Sequence, residues 1–430
     1  MNFKKIIVSA VAIAAFAGFT GAASAAIREV NEWGASAQFL YWSAQAPNYL
    51  QNIGCYNGGW TKTGPTSKYQ VSVGTCANGD TFIFRVGEKS SFDGPLSVMG
   101  STTDPNRGSI DPQEGCGDAN PRQRLMTDET TCSGASCTAR KCVDITVGAS
   151  DVEGESFTQV SHGMKYGPST ATNNVWIDRA FSAIDTSSLA NTRKLVVPFG
   201  EFVNNTVTKN GVTIDNLTRH QVVQIYSGQA WYWQDFGGDY TSLPITRCFR
   251  HAGSGTHATL DKTVMHSPWG GALLTDESLV DPLTWFNDSS SDLMKCINTI
   301  DGAIGYADAD QIQKVGAGQT YPNVSAVKYN GVMPTRATIA NGEYDNHWAV
   351  QNCYYRPTDA EAAAVCNAVK NVPSSKAGFW ATTCEMTYMK DKDWTYPVYV
   401  GATCEAGPSC SDGLDNDFDG SADAADTDCQ

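Results

Sequence analysis

Arg250-His251-Ala252-Gly253-Ser254-Gly255-Thr256 follows directly on the apolar-flanked run Leu243 to Phe249. This order predicts a strand that ends in an arginine, a turn that pivots on glycine, and a helix that opens on Ser-Gly-Thr. The first N–H groups of a helix have no partner inside it and point outward, and the helix dipole favours negative charge at the same end. Ser254 and Thr256 add hydroxyl donors, Gly255 lets the backbone come close, and Arg250 supplies a forked, permanently charged donor. Together they suit a small tetrahedral anion. Ser-Gly-Thr alone would be a helix cap. The arginine upstream and two partner segments elsewhere give it a second meaning.

The partners are Gly34-Ala35-Ser36-Ala37-Gln38-Phe39 and Gly148-Ala149-Ser150-Asp151, each again strand, small-residue turn, helix start. Phe39, Trp42, Ala46, Tyr49 and Leu50 recur at helical spacing after the first. Further on, Leu195-Val196-Val197-Pro198 predicts a strand entering a new lobe. Thr218 caps a short helix with Val222, Val223 and Ile225 inward, and Ser291 or Asp292 opens another that holds Leu293, Met294 and Ile297. Ala303 to Tyr306 predicts a buried strand, and Asp359 to Val369 an alanine-rich helix that returns to the first lobe. Strands alternating with helices imply an α/β fold with parallel pairing. In such sheets ligands bind beyond the carboxyl ends of strands, where helix N-termini converge.

These segments resemble the periplasmic phosphate-binding proteins of phosphate ABC importers, which have the two-lobed type-II periplasmic-binding fold. The family's G-A-G-A-T-F turn is similar to Gly34 to Phe39, its G-A-S-D matches Gly148 to Asp151, and its R-x-x-G-S-G-T matches Arg250 to Thr256. Leu217-Thr218, Ile225 to Gly228, Trp233, Gly302 to Tyr306 and Asn341 to Tyr344 follow in family order. The resemblance implies that Arg250 pairs with anion oxygens and that Ser254, Gly255 and Thr256 donate from the second lobe. Phe39 donates its backbone N–H from the first lobe, and Ser150 stands beside the site as a turn residue. Asp151 accepts a hydrogen bond from a protonated oxygen. Monohydrogen phosphate has that proton and sulfate has none, so sulfate leaves a buried carboxylate facing anion oxygens, which is costly. The chain departs from the family at Gln38, where a hydroxyl donor becomes a longer amide, and at Ala252, where an acid often braces the arginine. Ser90 or Ser91 stands for a further family serine. The implied partners are phosphate or a related oxyanion and an ABC permease. The alternative is an extracellular structural or adhesive protein that keeps the fold with a changed or lost ligand.

The chain has 430 residues and a formal net charge of −15. An acidic surface repels nucleic acid and anionic lipid, so any anion must be held by local donors. Lys4 and Lys5, the apolar run Ile6 to Phe19 and Ala23-Ser24-Ala25 predict a signal peptide over 1–25, and hence a secreted, periplasmic or extracellular protein. No later stretch reaches the roughly 18–20 apolar residues that span a membrane. Fourteen cysteines without a C-x-x-C pair suggest disulfides. Lobe 1 is expected over 26–197 and 307–403, with a loop-rich, cysteine-rich insertion at 55–142, and lobe 2 over 198–306. An acidic tail, 404–430, places Asp415, Asp417, Asp419, Ser421, Asp423 and Asp426 at calcium-loop spacing, with Gly420 at the sharp turn. Calcium is expected there and no cofactor at the anion site. None of the six histidines forms a recognisable catalytic motif, so an enzyme is not expected.

Overall fold

β1 (Ile27–Gly34) ends in five buried residues and leads into α1 (Phe39–Asn52), whose Tyr41, Trp42, Ala46, Tyr49 and Leu50 face inward. The chain then adds β2 (Tyr69–Thr75), β3 (Thr81–Glu88), α2 (Asp93–Met99) and β4 (Val147–Ser150). β3 and β4 flank β1 in parallel, with Gly34 level with Glu88 on one side and Ala149 on the other. Three carboxyl ends therefore lie abreast. β3 is buried at every position but its two ends, as expected for a parallel strand covered on both faces. In this computed structural model, residues 25–100, 116, 120–165, 175–266, 273, 283–368, 372, 376–402 and 404 are described. Nearly all of the expected signal peptide and the whole expected calcium loop lie outside them.

β5 (Leu195–Asn204) is buried along all ten residues and carries the chain into the second lobe. There it builds β6 (Thr246–Arg250), α3 (Gly255–Thr259), α4 (Ser290–Thr299) and β7 (Ala303–Asp308). The return runs through β8 (Trp348–Val350) and β9 (Asn352–Tyr355). β5 pairs with β8 and with Ala381–Thr382 over Leu195 to Pro198, then with β7 and Val324–Tyr329 over Phe199 to Asn204. β9 lies in the first sheet beside β4. β5 outward and β8–β9 back are the long crossings between a nine-stranded sheet and a ten-stranded one.

The helix starts follow the sequence closely. Thr218 forms a capping box with Gln221, Asp359 caps Ala360–Asn367, and the cap of α4 is Ser289, two residues earlier than expected. The lobe boundaries differ. The hairpin Val160–Lys165 and Val175–Ala180, expected in lobe 1, joins the second sheet through the pairing of Met164 with Trp285. Residues 307–346, also expected in lobe 1, stay with lobe 2, because Val324–Tyr329 pairs with β5. The span 55–142 is more than a loop-rich insertion, since it supplies β2, β3 and α2 to the first lobe. It also holds the disulfides Cys55–Cys76, Cys116–Cys142 and Cys132–Cys137. Cys248–Cys296, Cys353–Cys366 and Cys384–Cys404 complete the described set.

One buried acid makes stability depend on pH. Glu201 of β5 is fully buried, and Tyr226 donates to its Oε2 at 2.7 Å. Burial pushes its pKa up to about 8. His347, whose Nδ1 is 3.6 Å from Glu201 Oε1, is pushed down to about 3 by burial and stays neutral. A pKa raised above its unfolded value means that the group's contribution is full at low pH and is lost as pH rises through the folded value. Glu201→Gln removes this loss while keeping an acceptor for Tyr226. Calorimetric melting should show the variant gaining on the wild type by at least ~3 °C between pH 5 and pH 8. A pH-independent difference would discount the role.

Candidate functional site

The turn after β1 sits on the turn after β4. Ala35 N–H donates to Ala149 O at 3.0 Å. Gly34, at φ +146°, lies so close that a Cβ there would be 2.0 Å from Ala149 O, so only glycine fits. The turn after β3 follows in line, with Lys89 N–H on Gly34 O at 2.9 Å. These contacts place Gln38, Ser91 and Asp151 at one edge of the first lobe.

The second lobe meets them there. Ser254 stands at the N-cap of α3 with extended backbone. A Cβ on Gly255 would lie 2.5 Å from Ser91 Oγ and 2.6 Å from Asp151 Cβ. Phe92 N–H, from the first lobe, donates to Gly253 O at 3.2 Å. The lobes are therefore in contact, and Ser254, Thr256, Arg250, Gln38 and Asp151 are all buried between or beside them.

Arg250 is held by its own lobe. Its Nη1 donates to Ser290 Oγ at 2.8 Å and its Nη2 to Asp288 O at 3.1 Å. The start of α4 thus braces the guanidinium. Arg250 Nε has no partner. Burial pulls the Arg250 pKa down, while Asp308, Tyr306, Asp151 and Asp288 support the charge. Asp151 shows the opposite balance. Burial pushes its pKa up, and Ser91, Arg250, Gln351 and Gln38 pull it back. Ser91 Oγ donates to Asp151 Oδ2 at 3.0 Å, but Asp151 Oδ1 is buried without a partner. Gln38 Oε1 accepts from Trp42 Nε1 at 3.1 Å, whereas Gln38 Nε2 is also unpartnered. Buried polar atoms are rarely left so, and here three of them lie on residues that converge at one place.

Two expected site residues have other tasks in this geometry. The Phe39 amide donates to Ser36 O inside the turn, because Ser36–Gln38 tightens into a 3₁₀ turn. Ser150 Oγ donates to Val152 O at 2.7 Å, so its hydroxyl shapes the turn. His257 is buried with Nδ1 2.5 Å from the Tyr306 hydroxyl, and burial together with Arg250 pushes its pKa down to about 3. A neutral, enclosed imidazole of this kind is a poor proton acceptor at neutral pH.

Several residues were not visible in advance. Ser90 and Ser91 were named only as alternatives; both are buried, and Ser91 makes the contact with Asp151. Gln351 had no motif to mark it. Nor had the ion pair of Lys376 with Asp310, 2.7 Å and almost wholly buried. Lys376 lies 4.9 Å over the ring of Trp380, itself stacked on Tyr41 of α1, while Asp310 follows β7. The pair therefore spans the two lobes. Asp308 beside it is pushed up to about 7 by burial and by Asp310.

Residues 179–362 match the model of the PBP superfamily domain. The chain is further similar to the phosphate-binding protein PstS of Bacillus subtilis (strain 168). The two are 28% identical over 171 residues, which is 40% of this chain and 48% of the relative, so the match spans about half of that protein. Among solved structures, it aligns with a phosphate ABC transporter substrate-binding protein with bound phosphate from Clostridium perfringens. That alignment has 13% identity and a TM-score of 0.44, and covers 79% of this chain and 91% of the other. It also aligns with an ABC-type phosphate transport receptor from Vibrio cholerae, with 15% identity and a TM-score of 0.41, covering 79% and 94%. Among the described residues no helix is long and apolar enough to cross a membrane.

Proposed function

We propose that this protein captures phosphate or a similar tetrahedral oxyanion between its two lobes, for delivery to an ABC importer or for sensing, and that it performs no catalysis. The observation that supports this most directly is the seam at Gly255. There a helix start and Arg250 from one lobe face Asp151, Ser91 and Gln38 from the other. Asp151 Oδ1, Gln38 Nε2 and Arg250 Nε are all buried and unpartnered. An oxyanion bearing one proton supplies acceptors for the two nitrogens and a donor for the carboxylate. The disulfides, six among the described residues, favour an oxidising compartment outside the cytosol.

Titration calorimetry with phosphate, arsenate and sulfate tests this. Heat is expected with phosphate and arsenate and far less with sulfate. Silence with all three would favour a structural or adhesive protein on the same fold. Asp151→Asn carries the selectivity test, since an amide can donate to a bare sulfate oxygen where the carboxylate repels it. The phosphate-to-sulfate ratio of affinities should fall by about 100-fold or more. An unchanged ratio would remove Asp151 from the recognition of the protonated oxygen.

A further inference from the structure

The return crossing brings a side chain to the site that no motif announced. Gln351 stands between β8 and β9, its backbone N–H donating to Leu195 O of the outward crossing at 2.8 Å. Its side chain is buried, with 4% of the residue exposed, and neither Oε1 nor Nε2 has a partner. The carboxamide faces Asp151 from β9's side of the pairing with β4, and its hydrogen-bonding interaction with the carboxylate pulls the Asp151 pKa down. A framework glutamine at this depth would be paired, because an unmade buried hydrogen bond costs about 1–3 kcal/mol.

We propose that Gln351 is a specificity-determining ligand of the oxyanion site, reading the anion's protonation together with Asp151. This rests on the oxyanion reading above. A carboxamide offers one donor and one acceptor. Nε2 serves a bare oxygen and Oε1 accepts from a second hydroxyl, so the dihydrogen form of the anion, with one proton for Asp151 and one for Gln351, satisfies both atoms. Sulfate, with acceptors only, satisfies one and leaves the other buried. Gln38, Asp151 and Gln351 then form an arc drawn from the turn after β1, the turn after β4 and the crossing. The third member lies on the segment that must bend when the lobes part. Ligand capture and closure would therefore share a residue.

The test uses the mature protein with Gln351→Met, which keeps the side chain's length and removes both polar atoms. Phosphate affinity should fall by at least ~10-fold and the phosphate-to-sulfate ratio should narrow. The ligand-free melting temperature should hold or rise, since two unmet polar atoms are gone. A framework role predicts the reverse, namely a lower ligand-free melting temperature with selectivity intact. Gln351→Glu adds a second carboxylate facing the anion and should weaken phosphate by about 100-fold or more at pH 8. Wild-type affinity in the Met variant overturns the proposal, and so does the failure of both variants to fold. Wild-type protein that binds no oxyanion overturns the oxyanion reading itself, whereas wild-type binding with an unchanged Met variant sinks the Gln351 assignment alone.

Discussion

Arg250→Ala should weaken phosphate binding by roughly 10²–10³-fold or more while the protein still folds. Truncating one partner of a buried charged contact costs a complex about 2–5 kcal/mol or more, and tenfold in affinity is about 1.4 kcal/mol. Three further features raise the expected effect here. The guanidinium is buried and preset by Ser290 and Asp288, so little ordering is needed when the anion arrives. Its Nε is unpartnered. The carboxylates of Asp308, Asp151 and Asp288 lie near enough to support its charge, so without it the anion would face these acids with no cation to offset them. Arg250→Lys should recover only part of the loss, because an ammonium keeps the charge but not the fork. Calorimetry on both variants measures this. An alanine variant that binds as tightly as wild type would show that the arginine is structural and the anion lies elsewhere.

Arg124→Ala has the largest expected effect on stability, a loss of about 3–5 kcal/mol from an uncompensated buried charge. Arg124 grips Asp93 with two hydrogen bonds, Nε to Oδ2 at 2.9 Å and Nη2 to Oδ1 at 2.7 Å. Both side chains are 1% exposed, and Trp33 Nε1 donates to the same carboxylate at 2.6 Å. Asp93 opens α2, two residues after Ser91, so the pair also sets the turn that presents Ser91 to Asp151. Urea unfolding of the variant should show an earlier midpoint, and its phosphate affinity should drop as well. Replacing both partners with apolar residues, Arg124→Met with Asp93→Leu, should restore much of the stability, since it leaves no buried charge behind. A midpoint unchanged in Arg124→Ala would mean that Asp93 finds another cation.

The parts of the site that are local in the chain could be read from the sequence. Arg250, Ser254, Gly255 and Thr256 fall within seven residues, and their strand, turn and cap are dictated by residue type. Asp151 follows its own strand in the same way. What stayed hidden depends on pairing at long range. Gln351 reaches Asp151 only because β9 is the neighbour of β4, and no residue around it signals that. The strands Val160–Lys165 and Val175–Ala180 went unread in the sequence, and only their long-range pairing assigns them to the second sheet. β2, Tyr-Gln-Val-Ser-Val-Gly-Thr, was hidden by small and polar residues that read as loop, although Tyr69, Val71, Ser72 and Gly74 are buried. That the Phe39 amide turns back to Ser36 O was not readable either, because residue type does not reveal how far the turn around Ser36 tightens. The bracing of Arg250 by Ser290 was likewise invisible, since the two lie 40 residues apart in the chain.

Each described disulfide closes on its own neighbourhood. Cys55–Cys76, Cys116–Cys142, Cys132–Cys137 and Cys353–Cys366 stay in the first half, Cys248–Cys296 in the second, and Cys384–Cys404 within the C-terminal segment. Among the described residues none bridges the seam. The described disulfides therefore staple each half to itself and leave the strands that pass between the halves without a covalent cross-link. Reducing agents should accordingly loosen the two halves one by one, leaving the relation between them to noncovalent contacts.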